Sequence, residues 1–98
     1  TNPEQLVAAG WASCFHSALK LVAARRKVPV ADSTVAAEIS LLPNGADGFA
    51  LSAVLRVHLA DGVAADVAES LTAAAHEVCP YSAAVRGNVP TTLVTTVG

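Results

Sequence analysis

The sequence predicts an α+β fold in which a long buried central helix and a second helix pack on an antiparallel sheet. Three observations predict it. An apolar run opens the chain, with helix-start residues before it and a basic triplet after it. Two alternating segments then flank a turn-forming hexapeptide, and a second run with helical spacing leads into a β-branched, threonine-rich tail. The 98 residues hold one domain, and 53% hydrophobic against 14% charged residues excludes a disordered tail or a solvated linker. A domain this small buries a lesser share of its surface than a large one, so this much Ala, Val and Leu predicts further burial in a homodimer.

Thr1-Asn2-Pro3-Glu4 is a helix start: a capping side chain, a proline where its missing N–H is not needed, and an acid near the positive end of the dipole. The helix is expected to reach about Arg26, where Arg25, Arg26 and Lys27 favour a C-terminus and Val28-Pro29 stops the turn. From Leu6 to Ala24 apolar residues occupy every face, the pattern of a helix buried all round. The longest charge-free stretch, Gln5 to Leu19, falls short of the ~20 apolar residues that span a bilayer. With no basic leader or cleavage site around it, the expected setting is cytoplasmic, with no membrane partner.

Val35, Ala37, Ile39 and Leu41 alternate on one face of a strand, as do Phe49, Leu51, Ala53, Leu55, Val57 and Leu59 on the next. Pro43-Asn44-Gly45-Ala46-Asp47-Gly48 between them is turn chemistry, so an antiparallel hairpin is expected, with Arg56 and His58 on its polar face. Asp61-Gly62 opens the second helix, whose stripe of Val63, Val67, Leu71, Ala74 and Val78 faces the core. Cys79-Pro80 ends it, and Val89 to Val97 is a final strand.

A net charge of −2 offers no field to a phosphate backbone, and one Trp, one Tyr and two Phe give few stacking platforms, which excludes nucleic acid as a partner. The two cysteines carry the remaining interest, because a reducing compartment favours their use over their pairing as a structural staple. Cys14 lies within the first helix and Cys79 ends the second, so only the fold can bring them together. An apolar helix interior raises a thiol's pKa, which makes Cys14 inert unless a cation reaches it. Lys20 and His16 lie ~240° and ~200° around the helix from it and cannot serve.

Asn2-Pro3-Glu4-Gln5-Leu6, Ala12-Ser13-Cys14-Phe15 with Ser17-Ala18-Leu19, and Val78-Cys79-Pro80-Tyr81-Ser82 with Arg86-Gly87-Asn88 closely resemble the organic hydroperoxide resistance proteins of the OsmC/Ohr superfamily. The resemblance runs in order along essentially the whole chain. It implies an OsmC/Ohr-like fold in an intertwined homodimer, and a thiol-dependent peroxidase that reduces alkyl and fatty-acid hydroperoxides without a bound cofactor. It also implies Cys14 as the attacking thiolate, Cys79 as the resolving thiol that closes a disulfide, and dihydrolipoamide or a lipoylated protein as reductant. Glu4 matches the family's carboxylate, which orients an arginine at the thiolate. Phe15 and Tyr81 are expected to line the apolar substrate pocket.

The family's arginine lies upstream of the Asn-Pro-Glu-Gln-Leu word at which this sequence opens, and Arg25, Arg26, Arg56 and Arg86 do not occupy its place. That arginine and the family's N-terminal strands are therefore expected to be absent from this chain. Glu4 and Cys14 also stand ~15 Å apart along a straight helix. Either the helix breaks near Gly10, or two such helices cross antiparallel and Glu4 of one subunit meets Cys14 of the other. The small residues Ala8, Ala9, Gly10 and Ala12 permit a close crossing, so a site shared between subunits is predicted.

Two other chemistries fit the residues less well. Cys14, His16, His76 and Cys79 form a conceivable zinc set, but Cys14 and His16 point in opposed directions on one helix, so no metal is expected. Ser13 and Ser17 lie on no Gly-x-Ser-x-Gly elbow, and Ser82 is read as a helix or turn cap. The rival from another class is a non-catalytic dimeric scaffold or redox sensor that keeps the fold and a reversible disulfide.

Overall fold

The computed structural model describes residues 1–98 and orders the chain as α1 (Pro3–Arg26), β1 (Thr34–Asn44), β2 (Gly48–Leu59), α2 (Ala65–Val78), α3 (Pro80–Val85) and β3 (Thr91–Val97). The capping box that starts α1 uses residues from the recognised word: Asn2 Oδ1 accepts from the Gln5 N–H at 2.8 Å, and Gln5 Oε1 accepts from the Asn2 N–H at 3.1 Å. At its other end Lys27 adopts φ 57°, the Val28 N–H donates to Ala23 O at 2.9 Å and the Lys27 N–H to Ala24 O at 3.2 Å. These two bonds satisfy carbonyls that would otherwise be orphaned.

The sheet order is β1-β2-β3. The hairpin pairs antiparallel from Thr34 opposite His58 to Asn44 opposite Gly48, whereas β3 runs parallel to β2 from Ala53 opposite Thr91 to Leu59 opposite Val97. The expected antiparallel sheet is therefore mixed. The connection decides this: α2 and α3 carry the chain back along the sheet, so β3 enters in the direction of β2. Strand periodicity reports which face is buried and leaves direction open.

Both helices cover one face of the sheet, around fully buried Leu19, Leu55, Leu59 and Leu71. Burial of such a side chain stabilises the fold by about 1.5–3 kcal/mol. The opposite face is polar, as expected, with Arg56 Nε 2.7 Å from Glu38 Oε1 and His58 bonded to Thr96.

Two predicted faces turn out differently. α1 is not buried all round: Trp11, Phe15, Ala18, Leu19, Val22 and Ala23 form its core face, while Leu6, Ala9, Ser13, Ser17 and Leu21 are exposed. β1 and α2 cover only one side of it. Taken as a whole helix rather than a charge-free stretch, α1 has 24 residues and holds an 18-residue window of mean hydropathy 1.3, long and apolar enough to cross a bilayer, with 33% of that window buried in the chain.

α2 begins at Ala65, because Gly62 (φ 105°) first turns the chain. It buries Ala68, Leu71, Thr72 and Ala75, whereas Val67 and Val78 stay partly exposed. Wedged between α1 and β3, the helix turns its small residues inward where backbones come close. Thr72 is satisfied there, donating to Ala68 O and accepting from Thr95.

Candidate active site

The fold brings the two cysteines together. Cys79 Sγ lies 3.5 Å from Cys14 Sγ, within reach of an S–H···S hydrogen bond, and both thiols are free. A disulfide needs about 2.05 Å, so oxidation requires a closing movement of ~1.5 Å. Cys79 is fully buried and Cys14 half-buried, which leaves Cys14 the reachable member of the pair.

Proline explains where Cys79 stands. A residue before proline is driven out of the helical region, and Cys79 has φ −62° and ψ 120°. It closes α2 through its N–H to Ala75 O and opens α3 through its carbonyl, which accepts from the Ala83 N–H. Pro80 fills the first position of α3, where no N–H is required.

The rest of the Cys79-Pro80-Tyr81-Ser82 word docks on the turn of α1 that precedes Cys14. Trp11 Nε1 donates to Ser82 Oγ at 3.0 Å, and both residues are buried. Tyr81 packs against Gly10: a β-carbon added there would stand 3.1 Å from the tyrosine Cε2. Sequence reasoning assigned Ser82 to a cap and Gly10 to a helix crossing and missed this pairing. Its signal was the unusual sharing of one short word by a cysteine, an aromatic and a serine, each of which finds a partner within one turn of α1.

Burial pushes the Cys14 thiol up, the Tyr81 backbone N–H acts against this, and the neighbouring Cys79 adds to the rise. Cys79 is the sole side-chain hydrogen-bond partner of the Cys14 sulfur. The arginines are engaged elsewhere: Arg26 with Ser70, Arg56 with Glu38, and Arg86 with the His76 carbonyl at 2.7 Å, where it caps α2. Arg25 lines a groove of about 560 Å³ between α1 and α2, floored by Val22 and Ala74.

α1 is unbroken through Gly10, so Glu4 remains about 15 Å along the helix from Cys14 within the chain. Of the two routes for uniting them, only a crossing of two helices is left. Phe15 has no exposed surface and packs tilted against His76, ring centroids 6.4 Å apart, so in the single chain it backs the site rather than faces it. Tyr81 is 48% exposed.

The histidines follow separate paths. Ser33 gives its hydroxyl proton to Val30 O, so the 2.8 Å contact with His16 requires His16 Nε2 to donate. Burial lowers the His16 pKa, as does Lys20. Burial also lowers that of His76, aided by Arg86, and its Nδ1 is buried without a partner.

Comparison with known proteins follows the same residues. A family model described as OsmC-like protein matches residues 1–94. The chain belongs to the OsmC family. The organic hydroperoxide resistance protein OhrA of Bacillus subtilis is 51% identical over 94 residues, which are 95% of this chain and 65% of OhrA. OhrB of the same organism is 46% identical over 90 residues, 91% of this chain and 65% of its own. Among OsmC-family structures, an organic hydroperoxide resistance protein of Legionella pneumophila superposes with TM-score 0.92 at 47% identity, covering 98% of this chain and 69% of that one. Crystalline OhrB superposes with TM-score 0.90 at 43% identity, covering 97% and 70%. The chain thus spans just under two thirds of the length of these curated relatives.

Proposed function

We propose that this chain carries the thiol centre of a peroxidase that reduces organic hydroperoxides, alkyl and fatty-acid, to alcohols. The Cys14 thiolate attacks the terminal peroxide oxygen and the O–O bond breaks. The alcohol leaves after taking up a proton, and the sulfur, oxidised by two electrons, becomes a sulfenic acid. Cys79 then attacks that sulfur, the S–O bond breaks, water departs, and a Cys14–Cys79 disulfide remains. A dithiol such as dihydrolipoamide or a lipoylated protein supplies two electrons to reopen it by exchange.

The observation that carries this reading is the 3.5 Å approach of two free thiols from distant elements, one half-buried and one buried. The names of the similar relatives support the substrate class. In this reading the chain works as a cytoplasmic homodimer. Glu4 of one copy reaches the Cys14 of the other, Tyr81 lines the path of the substrate, and Phe15 backs it. The exposed apolar residues Leu6, Leu21 and Phe49 favour a covered state.

One observation favours the rival scaffold or redox sensor: burial raises Cys14 and no cation of this chain bonds its sulfur. Stoichiometric cumene hydroperoxide added to the reduced chain separates the two. The peroxidase loses both thiols rapidly, Cys14→Ser abolishes the loss, Cys79→Ser accumulates a sulfenic acid, and dihydrolipoamide restores the thiols. Oxidation no faster than that of a free thiol in solution would leave only the scaffold.

A further inference from the structure

We propose that Gly10 is a specificity-determining residue that acts through Tyr81. By leaving room for the tyrosine ring on α1 one turn before Cys14, it shapes an apolar shelf for the carbon chain of a molecule approaching the thiol. The identity of that molecule as a hydroperoxide rests on the function proposed above; the shelf itself does not.

Glycine is a poor helix former, yet Gly10 sits in the interior of α1. Its φ is not positive, so no turn or cap requires it there. What it supplies is space. The three atoms nearest to an added β-carbon are all from Tyr81: Cε2 at 3.1 Å, Oη at 3.4 Å and Cζ at 3.6 Å. A side chain at position 10 therefore meets this ring before anything else. With 48% of Tyr81 exposed, the ring forms a surface, and it can yield outward when pushed.

The surface leads to the thiol. Leu6, Gly10 and Cys14 follow one another at intervals of four along one side of α1. Leu6, one turn before Gly10, is 65% exposed in the single chain, so the apolar surface continues along α1 beyond the ring. The backbone N–H of Tyr81 acts to lower the Cys14 pKa against the effect of burial, so the residue that carries the ring also stands close to the thiol. Moving the ring outward narrows the approach for a long chain more than for a compact one.

The test reads chain-length preference at Cys14 with and without peroxide chemistry. Rates of Cys14 modification by N-ethylmaleimide and N-dodecylmaleimide are measured by peptide mass on wild type, Gly10→Ala, Gly10→Leu, Tyr81→Ala and Gly10→Ala/Tyr81→Ala. The same proteins are assayed with tert-butyl hydroperoxide and linoleic acid hydroperoxide. Wild type is expected to favour the longer maleimide, and the dodecyl-to-ethyl ratio to fall about fivefold in Gly10→Leu and about twofold in Gly10→Ala. Tyr81→Ala lowers it too, after which Gly10→Ala adds nothing.

The hydroperoxide pair follows the same order, through KM rather than kcat. No chain-length preference in wild type, or an unchanged ratio in a folded Gly10→Leu, overturns the shelf. A maleimide ratio that shifts as expected in a protein that consumes neither hydroperoxide keeps the shelf and removes the peroxidase. Because alanine suits a helix better than glycine, Gly10→Ala is expected to fold at least as well as wild type, which separates a lost shelf from a lost fold.

Discussion

The two sides of α1 do different work although their sequences are alike in hydrophobicity. The closed side, with Trp11, Phe15 and Leu19, is fastened to the sheet and to α2 and α3; the open side, with Leu6, Ala9 and Leu21, meets solvent in the single chain. Cys14 lies on the border, half-buried, and its partner Cys79 lies wholly on the closed side. In the proposed function this difference lets one helix serve both as core and as reactive surface. A thiol that must meet a substrate needs the border, and a thiol that must wait for the first to be oxidised is safest inside.

The largest effect is expected from the closed side. Leu19 has no exposed surface, and Leu19→Ala should cost about 2–5 kcal/mol of unfolding free energy in urea titration. A loss below ~1 kcal/mol would mean that the closed side repacks and the contrast is shallow. Next is the bond that seats α3. Ser82→Ala leaves Trp11 Nε1 buried without its acceptor and should cost about 1–3 kcal/mol. It should also slow formation of the Cys14–Cys79 disulfide under diamide, since the word that presents Cys79 is loosened. An unchanged disulfide rate would place the positioning of Cys79 in Pro80 alone.

Much of this division was legible in the sequence, for identifiable reasons. The ends of α1 carry their own chemistry in Asn2, Pro3 and Arg25, so its end was read as about Arg26, where the helix stops. The hairpin announced itself by alternation around Asn44-Gly45. The direction of β3 was not legible, because periodicity has no sign, and neither was the inward turn of Ala68 and Ala75, because close packing against two neighbours favours small residues over large apolar ones. The thiol pair was legible through resemblance, since helix geometry alone offers no reason for residues so far apart to meet. Gly10 and Ser82 were misassigned because their partners, Tyr81 and Trp11, lie across the fold.

The border position of Cys14 sets a pH dependence. Burial and Cys79 hold its thiol above the ordinary range, so the folded chain keeps this proton where a free thiol would release it. Alkylation by iodoacetamide, which follows the thiolate, should therefore rise with pH to a midpoint above the ~8.5 of a free cysteine. A midpoint below that value would sharpen the comparison in the other direction. It would mean that a cation reaches the sulfur from the open side, as when a second copy or further polypeptide covers it.

The smallest expected effect tests that open side directly. Leu6 lies on the same helix as Leu19 but is 65% exposed in the single chain, so the chemistry of the substitution can be matched while burial differs. If solvent is its true neighbour, Leu6→Ala changes stability by no more than about 0.5 kcal/mol, and the melting temperature is independent of protein concentration. If two copies of α1 cross antiparallel, as the proposed approach of Glu4 to Cys14 requires, Leu6 comes opposite Ala12 of the second copy and is a core residue of the assembly. Its truncation then costs ~2 kcal/mol or more, and melting shifts upward with concentration in wild type by mass action. One leucine at two concentrations thus decides whether α1 has a closed side and an open one, or two closed sides with the thiol between them.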